Sequence, residues 1–366
     1  MNKVLILTNS VNGLYSFRRE LIEKLTTEYK VIISAPKSEK TKYFCNLGCT
    51  MINTKINGRG TNPLEDIKLF LNYIKMIRNV KPDIVLTYTI KPNVYGGLAS
   101  KILKVPYIAN ITGLGSSIQK KQNLIRGISL YLYKIGLKSA QCVFIQNQSI
   151  YDFMLKNSLV NGKLRLIPGS GVNVTEYRFE QYPQERDSIK FLFIGRILRD
   201  KGVEELFKVI KKIKSDYKNI EFHIVGNTND DYKTALKELE SKGLLNYHGR
   251  IENIHNMLKE SHAIIHPSHH EGMSNVLLEA ASTGRPILAS NIPGCKETFD
   301  EGVSGLGFEA KNIESLYETI IKFIKIPYAK KREMGVAGRI KMEKEFDRNI
   351  VINAYMEEIN QTLKER

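Results

Sequence analysis

Two doubly wound α/β domains, each a parallel sheet covered by helices on both faces, are predicted by three observations. Short apolar runs alternate with amphipathic helical patterns in two successive series. A polar, Pro- and Gly-containing stretch at 168–188 interrupts the alternation, and 366 residues exceed one typical core. Hydrophobic residues make up 42% and charged residues 25%, which excludes a disordered or collagen-like chain.

The first series opens with an apolar run, Lys3–Thr8, then a bend holding Gly13 and a helical pattern of Leu14, Phe17, Leu21 and Leu25. One glycine there lacks the three of a dinucleotide fingerprint, so NAD is not indicated. Arg18 and Arg19 in the first turns either reach an anion above the sheet edge or face solvent. Val31–Ile33 reads as a strand, 64–79 as a helix, Ile84–Leu86 as a strand and 94–103 as a helix, followed by strands at Pro106–Ile108 and Val143–Ile145. Ligands of such sheets gather at the carboxyl ends of the strands, where two polar loops fall, Thr87–Asn93 and Asn110–Ser117. The acid-free stretch 119–140 mixes lysines with leucines and isoleucines. It reads as a helix lying on anionic lipid or as a core helix with snorkelling lysines.

In the second series Ile189–Ile194 is a strand, Gly195-Arg196 opens a loop, and Lys201-Gly202 precedes a helix with Leu206, Val209, Ile210 and Ile213 on one face. Arg196 and Lys201 flank a strand-to-helix turn, and a forked guanidinium and a point-charge ammonium both suit a diphosphate. After a strand at Phe222–Val225 and a helix to about Lys242 comes Tyr247 to Ile251. The run Ala263–Ile265 leads into the stretch His266 to Ala280, which predicts strand, tight polar loop and a helix capped by Ser274. The first N–H groups of that helix suit a phosphate. Glu279, four residues after Asn275, stands about one turn from such an anion, within reach of a ribose diol. Glu271, on the far side of the cap, is placed to do the same for a sugar; alternatively both are ordinary acids of an exposed amphipathic helix. Pro286–Ala289 is a strand, Leu316–Ile324 a helix, and Phe346–Leu363 a terminal helix.

The net charge of +17 is confined to residues 1–170, which hold 25 basic and 8 acidic residues; the remainder holds 30 of each. A basic first half calls for an anionic partner: nucleic acid, an anionic membrane surface or a polyanionic substrate. Nucleic-acid readers interleave aromatics with cations in recognisable modules, and none is present. The four cysteines, Cys45, Cys49, Cys142 and Cys295, lack a second close pair for zinc and read as buried free thiols. No apolar run approaches the roughly 20 residues of a membrane span, and Met1-Asn2-Lys3 leads directly into Val4, so a cytoplasmic protein is expected.

Gly195-Arg196, Lys201 and Glu271-x7-Glu279, in that order in the second of two α/β halves, resemble glycosyltransferase family 4, and the resemblance covers essentially the whole chain. It implies the GT-B architecture: two Rossmann-like domains facing a central cleft. Residues 1–170 would take the acceptor, with the helix 346–366 packing back on them; 171–188 would be a linker and 189–345 would take the nucleotide sugar. Within the family, Thr89–Gly96 and Asn110–Gly115 look like bacterial enzymes that build capsule, O-antigen and related glycans on a lipid carrier.

The implied reaction is retaining, needs neither metal nor cofactor, and moves a sugar from a UDP-sugar to an undecaprenyl-diphosphate-linked saccharide; an N-acetylhexosamine or derivative is expected. By the resemblance, Arg196 and Lys201 hold the diphosphate and stabilise its growing charge. Glu271 binds the sugar hydroxyls and shares the catalytic role, and Glu279 binds the ribose. Gly272, Met273, Ser274, Asn275 and Val276 complete the phosphate site, Arg250 and Ile251 border the base, and Gly13 leaves room for substrate. Arg18, Lys91, Asn93 and Thr112 are the candidates for the acceptor. Residues 119–140 would rest on the inner face of the cytoplasmic membrane, and no nucleic-acid partner is expected. There is one departure: many members carry an N-terminal-domain histidine that contacts the donor sugar. Here no histidine precedes His223, and Thr112 stands in its place. UDP-N-acetylhexosamine epimerases of the same fold are the alternative, with a nucleic-acid-binding protein behind them.

Overall fold

The computed structural model describes residues 1–58, 60, 62–113, 124–185 and 188–365, with backbone alone at 124–125. Residues 114–123, which include the end of the second polar loop and the start of the basic stretch 119–140, lie outside the described residues, as do 186–187 of the expected linker. The chain divides into unit 1, Met1–Ser170 with Asn349–Arg366, and unit 2, Gly171–Arg348.

Unit 1 holds seven parallel strands: β1 (Lys3–Leu7), β2 (Lys30–Ala35), β3 (Thr50–Asn53), β4 (Ile84–Tyr88), β5 (Tyr107–Ile111), β6 (Cys142–Ile145) and β7 (Lys163–Leu166), in the order β3-β2-β1-β4-β5-β6-β7. Its helices are α1 (Val11–Glu28), α2 (Thr41–Asn46), α3 (Pro63–Val80), α4 (Gly97–Ile102), α5 (Leu124–Leu137) and α6 (Gln148–Lys156). Successive strand residues point to opposite faces, so β1 divides itself: Val4 and Ile6 enter a core with α1, while Leu5 and Leu7 enter another with α3 and α5. That is why these strands read as unbroken apolar runs. The expected helix 94–103 starts within a wide π-helical turn, Pro92–Gly96, and is α-helical only from Gly97, and β3 and β7 were not expected.

Unit 2 holds six parallel strands: β8 (Ile189–Ile194), β9 (Ile220–Val225), β10 (Asn246–Tyr247), β11 (Ala263–His266), β12 (Ile287–Ser290) and β13 (Gly305–Phe308), ordered β10-β9-β8-β11-β12-β13. Around them lie α7 (Val203–Asp216), α8 (Asp230–Ser241), α9 (His255–Glu260), α10 (Asn275–Ser282), α11 (Ile313–Lys325) and α12 (Tyr328–Glu345). The expected linker is not a free connector. Tyr182 donates to the His262 carbonyl at 2.9 Å, Ser282 donates to the Tyr177 carbonyl at 2.6 Å, and Arg285 donates to the carbonyls of Glu180 and Gln181, each at 2.8 Å. Its polar composition hid Tyr182, which is buried in this unit, and Tyr177, which packs half-buried against it.

The last helix, α13 (Arg348–Lys364), joins unit 1 from Asn349 onward. There Val351, Tyr355 and Ile359 enter the core beside α1. The Tyr355 and Phe144 rings lie 4.2 Å apart, and Glu358 pairs with Lys163 at 2.6 Å and Arg165 at 2.7 Å.

Strand order reverses between β1 and β4 in unit 1 and between β8 and β11 in unit 2. The loops that follow these adjacent strands diverge, leaving a crevice at the carboxyl end of each sheet.

Candidate active site

In unit 2 the loops after β8 and β11 are laced together. Gly202 ends the turn Arg199–Lys201 with φ +70°, and a Cβ there would come within 2.0 Å of the Pro267 carbonyl oxygen, so only glycine permits the approach. The His269 amide donates to the Asp200 carbonyl at 2.8 Å, and the His269 ring meets Glu205 at 3.1 Å. This contact delivers Lys201 to Glu271: Nζ and Oε1 lie 2.6 Å apart. His266, at the end of β11 and buried, approaches the same oxygen with Nε2 at 2.8 Å. Burial raises the Glu271 carboxyl, but the His266 hydrogen bond and the Lys201 charge outweigh it and hold the group at about 2.

Helix α10 departs from the expected capping. Ser274 occupies the N-cap without a side-chain cap bond, because its hydroxyl lies 3.2 Å from His266 Nε2. The Asn275 and Val276 amides open the helix and have no partner within it. The Ser274 amide donates to the Gly294 carbonyl at 2.8 Å. Gly294, at φ +85°, approaches so closely that a Cβ would stand 2.6 Å from the Gly272 oxygen. One turn on, Glu279 is desolvated and its carboxyl is driven up to about 8, with Glu176 adding to the rise; Arg348 and a Tyr177 hydrogen bond oppose it. The Met273 side chain packs in the core, leaving its backbone as the part that can face a ligand.

Arg196 is exposed in the loop after β8. Gly226 joins that region to the base candidates: the Gly195 amide donates to the Val225 carbonyl at 2.9 Å and the Gly226 amide to the Gly249 carbonyl at 2.7 Å. Beyond it Arg250 is exposed and Ile251 half-buried. Unit 2 therefore brings Lys201, Glu271, Gly272, Ser274, Asn275, Val276 and Glu279 into one locale, with Arg196, Arg250 and Ile251 on neighbouring strand ends. Sequence reasoning gave no role to His266, Tyr177 or Arg348. The histidine alone carried a signal, ending an apolar run ahead of a polar loop.

In unit 1 Gly13 sits in the first turn of α1, not at the bend, because Ser10 caps the helix and accepts from the Gly13 amide at 3.0 Å. Arg18 is buried, its guanidinium 5.7 Å from the centroids of both Tyr88 and Tyr355. No carboxylate pairs with it among the described residues. Lys91 is committed to Asp66 at 2.6 Å. Asn93 is carried inward by the wide turn and donates to the Asn110 carbonyl at 2.8 Å, so it does not line an open surface as expected. Thr112 is exposed. Thr87 Oγ1, Thr89 Oγ1, Asn93 Oδ1, Asn110 Oδ1 and Gln146 Nε2 are buried at these strand ends without a hydrogen-bond partner. Such groups are completed by ordered water or by a polar ligand.

Two family models cover most of the chain: "Glycosyl transferase 4-like" over residues 3–147 and "Glycosyl transferases group 1" over residues 174–341. The chain belongs to this glycosyltransferase family. Among the relatives of this glycosyltransferase is the N,N'-diacetylbacillosaminyl-diphospho-undecaprenol alpha-1,3-N-acetylgalactosaminyltransferase of Campylobacter jejuni. It is 27% identical, with 98% of each chain covered. The UDP-Gal:alpha-D-GlcNAc-diphosphoundecaprenol alpha-1,3-galactosyltransferase of Escherichia coli is 24% identical over 72% of each. The fold matches Anabaena HepE, solved in complex with UDP-glucose, with a TM-score of 0.78 at 16% identity, covering 99% of this chain and 100% of that one. The GT-B fold expected of the glycosyltransferase is the fold observed.

Proposed function

We propose that this glycosyltransferase moves a sugar, an N-acetylhexosamine or derivative, from a UDP-sugar to an undecaprenyl-diphosphate-linked saccharide with retention of anomeric configuration. One observation carries the reading: Lys201, Glu271 and His266 converge in front of the open amides of α10, with Glu279 one turn beyond. The relatives that act on undecaprenyl-diphosphate-linked sugars support the acceptor class.

In this assignment Arg196, Lys201 and the amides of Asn275 and Val276 hold the diphosphate, the Ser274 amide being taken by the Gly294 carbonyl. Two cations and a helix N-terminus take the place of a metal ion and stabilise the charge that grows on the leaving phosphate. That phosphate also accepts the proton of the attacking hydroxyl. Glu279 holds the ribose diol, and Arg250 and Ile251 border the base. Glu271, fixed as a carboxylate by Lys201 and His266, accepts hydrogen bonds from the sugar hydroxyls beside Gly272 and Met273. In unit 1 Gly13 keeps the first turn of α1 clear, Arg18 supplies positive charge toward the acceptor phosphates and the exposed Thr112 a polar contact; Lys91, held by Asp66, and the inward-turned Asn93 take no part. The basic stretch 119–140 rests on the inner face of the cytoplasmic membrane, with no role for nucleic acid.

The test is UDP release from a panel of UDP-sugars with and without an undecaprenyl-diphosphate-linked saccharide, in EDTA, followed by NMR of the new linkage. Release that needs one donor and the acceptor, persists in EDTA, retains configuration and falls at least 100-fold in Arg196→Ala and Lys201→Ala is expected, about the loss seen when one transition-state contact is removed. Interconversion of a UDP-N-acetylhexosamine without acceptor would replace the reading with an epimerase.

A further inference from the structure

Helix α3 has two apolar faces, and the fold uses one. Leu69, Tyr73, Met76 and Ile77 are buried in the core of unit 1. Leu64, Ile67 and Leu71, spaced i, i+3, i+7 on the outer side, are 70%, 55% and 57% exposed. Single exposed aliphatics are ordinary, whereas three on successive turns form a stripe that a water-facing helix has no reason to keep. Lys68, Lys75 and Arg78 are exposed on the same outer side, and after Asp66 the helix carries no acid. Asp66 itself is taken by Lys91 at 2.6 Å and by the Tyr95 hydroxyl at 2.9 Å. Beside α3 lies a cavity of about 600 Å³ lined by Lys55, Lys68 and Lys91 but also by Glu65 and Asp66, so the cavity itself is not selective for an anion. Because Lys91 follows β4, this end of α3 stands at the carboxyl end of the sheet.

We propose that the outer face of α3 is a second surface, in addition to the stretch 119–140, by which unit 1 lies on an anionic lipid bilayer. Leu64, Ile67 and Leu71 enter the boundary between headgroups and acyl chains, and Lys68, Lys75 and Arg78 meet lipid phosphates. Charge complementarity selects this occupant. Residues 1–170 hold 25 basic against 8 acidic residues, and a second copy docked through the same face would set these cations against themselves. Helix α5, in the stretch first expected to bind lipid, exposes two large apolar side chains, Ile128 and Tyr131, among the described residues. The purpose of the surface rests on the lipid-linked acceptor of the proposed function; its existence does not.

The experiment is flotation of the full chain with vesicles of phosphatidylcholine alone and with 30% phosphatidylglycerol. Binding to the anionic vesicles, weakened by salt, is expected. The triple variant Leu64→Ser, Ile67→Ser, Leu71→Ser should lose at least tenfold in partitioning, as should Lys68→Glu with Lys75→Glu. Every changed side chain is exposed, so melting temperature and UDP-sugar affinity should match wild type, and the latter reports on the donor site independently. Unchanged vesicle binding by either variant overturns the proposal, as does a wild type that ignores anionic vesicles. A dimer made monomeric by the triple variant, with vesicle binding intact, also overturns it and assigns the stripe to self-association.

Discussion

Glu271 and Glu279 are eight residues apart and are driven in opposite directions by what surrounds them. Desolvation dominates at Glu279 and raises it to about 8; at Glu271 a histidine and a lysine overcome desolvation and hold it at about 2. The consequences for stability have opposite sign. Between an unfolded value of about 4.5 and the raised folded value, folded Glu279 keeps a proton that the unfolded chain has released, so its contribution falls as pH rises through that window. Glu279→Gln should therefore gain thermal stability over wild type as pH goes from 5 to 8.5 in parallel melts, while UDP-sugar affinity drops about tenfold for the loss of one hydrogen bond to the ribose. Glu271 stabilises above its unfolded value and loses this contribution as pH falls from about 4.5 toward 2. Glu271→Ala strands Lys201 and His266 and should cost about 2 kcal/mol at pH 7 by denaturant unfolding, with loss of transfer.

At the scale of elements, the turn between β8 and α7 matters most, since it carries Lys201 across to the loop after β11. Gly202→Ala adds a Cβ at positive φ against the Pro267 carbonyl and should destabilise by about 2 kcal/mol or more while lowering kcat/KM with Lys201 itself intact. A variant with normal transfer would show that the loop contact does not position the lysine. The elements legible in the sequence were those with strong periodicity or both faces buried, such as β1, β4, α3 and α7. The ones that escaped are short edge strands with mixed polarity: Thr50–Asn53 and Lys163–Leu166 have exposed ends and carry no apolar run. The site divides in the same way. Local spacing disclosed Glu271, Ser274 and Glu279 as one stretch. The meeting of Lys201 with Glu271, 70 residues away, depends on β8 lying beside β11, which no local pattern encodes. The inward turn of Asn93 and the preference of Ser274 for His266 over its own helix are likewise tertiary choices.

The whole molecule is one continuous unit placed within the chain of another. The ends of unit 2 are tied: the Val172 amide donates to the Phe346 carbonyl at 2.8 Å and the Arg348 amide to the Val172 carbonyl at 2.9 Å. Residues 171–348 should accordingly melt cooperatively as an isolated fragment and bind UDP, measured by calorimetry, with an affinity close to that of the full chain. Unit 1 is discontinuous, and removing 349–366 takes Val351, Tyr355 and Ile359 out of its core and leaves Arg18 without one of its two rings. That order of assembly has a meaning on the ribosome. Residues 1–170 emerge before unit 2, but the segment that closes their core is made only after all of it, at a rate of roughly 5–20 residues per second. For that interval the nascent chain exposes an unfinished apolar surface on a basic unit, so the unit that emerges before the other matures after it and is the one more in need of a chaperone.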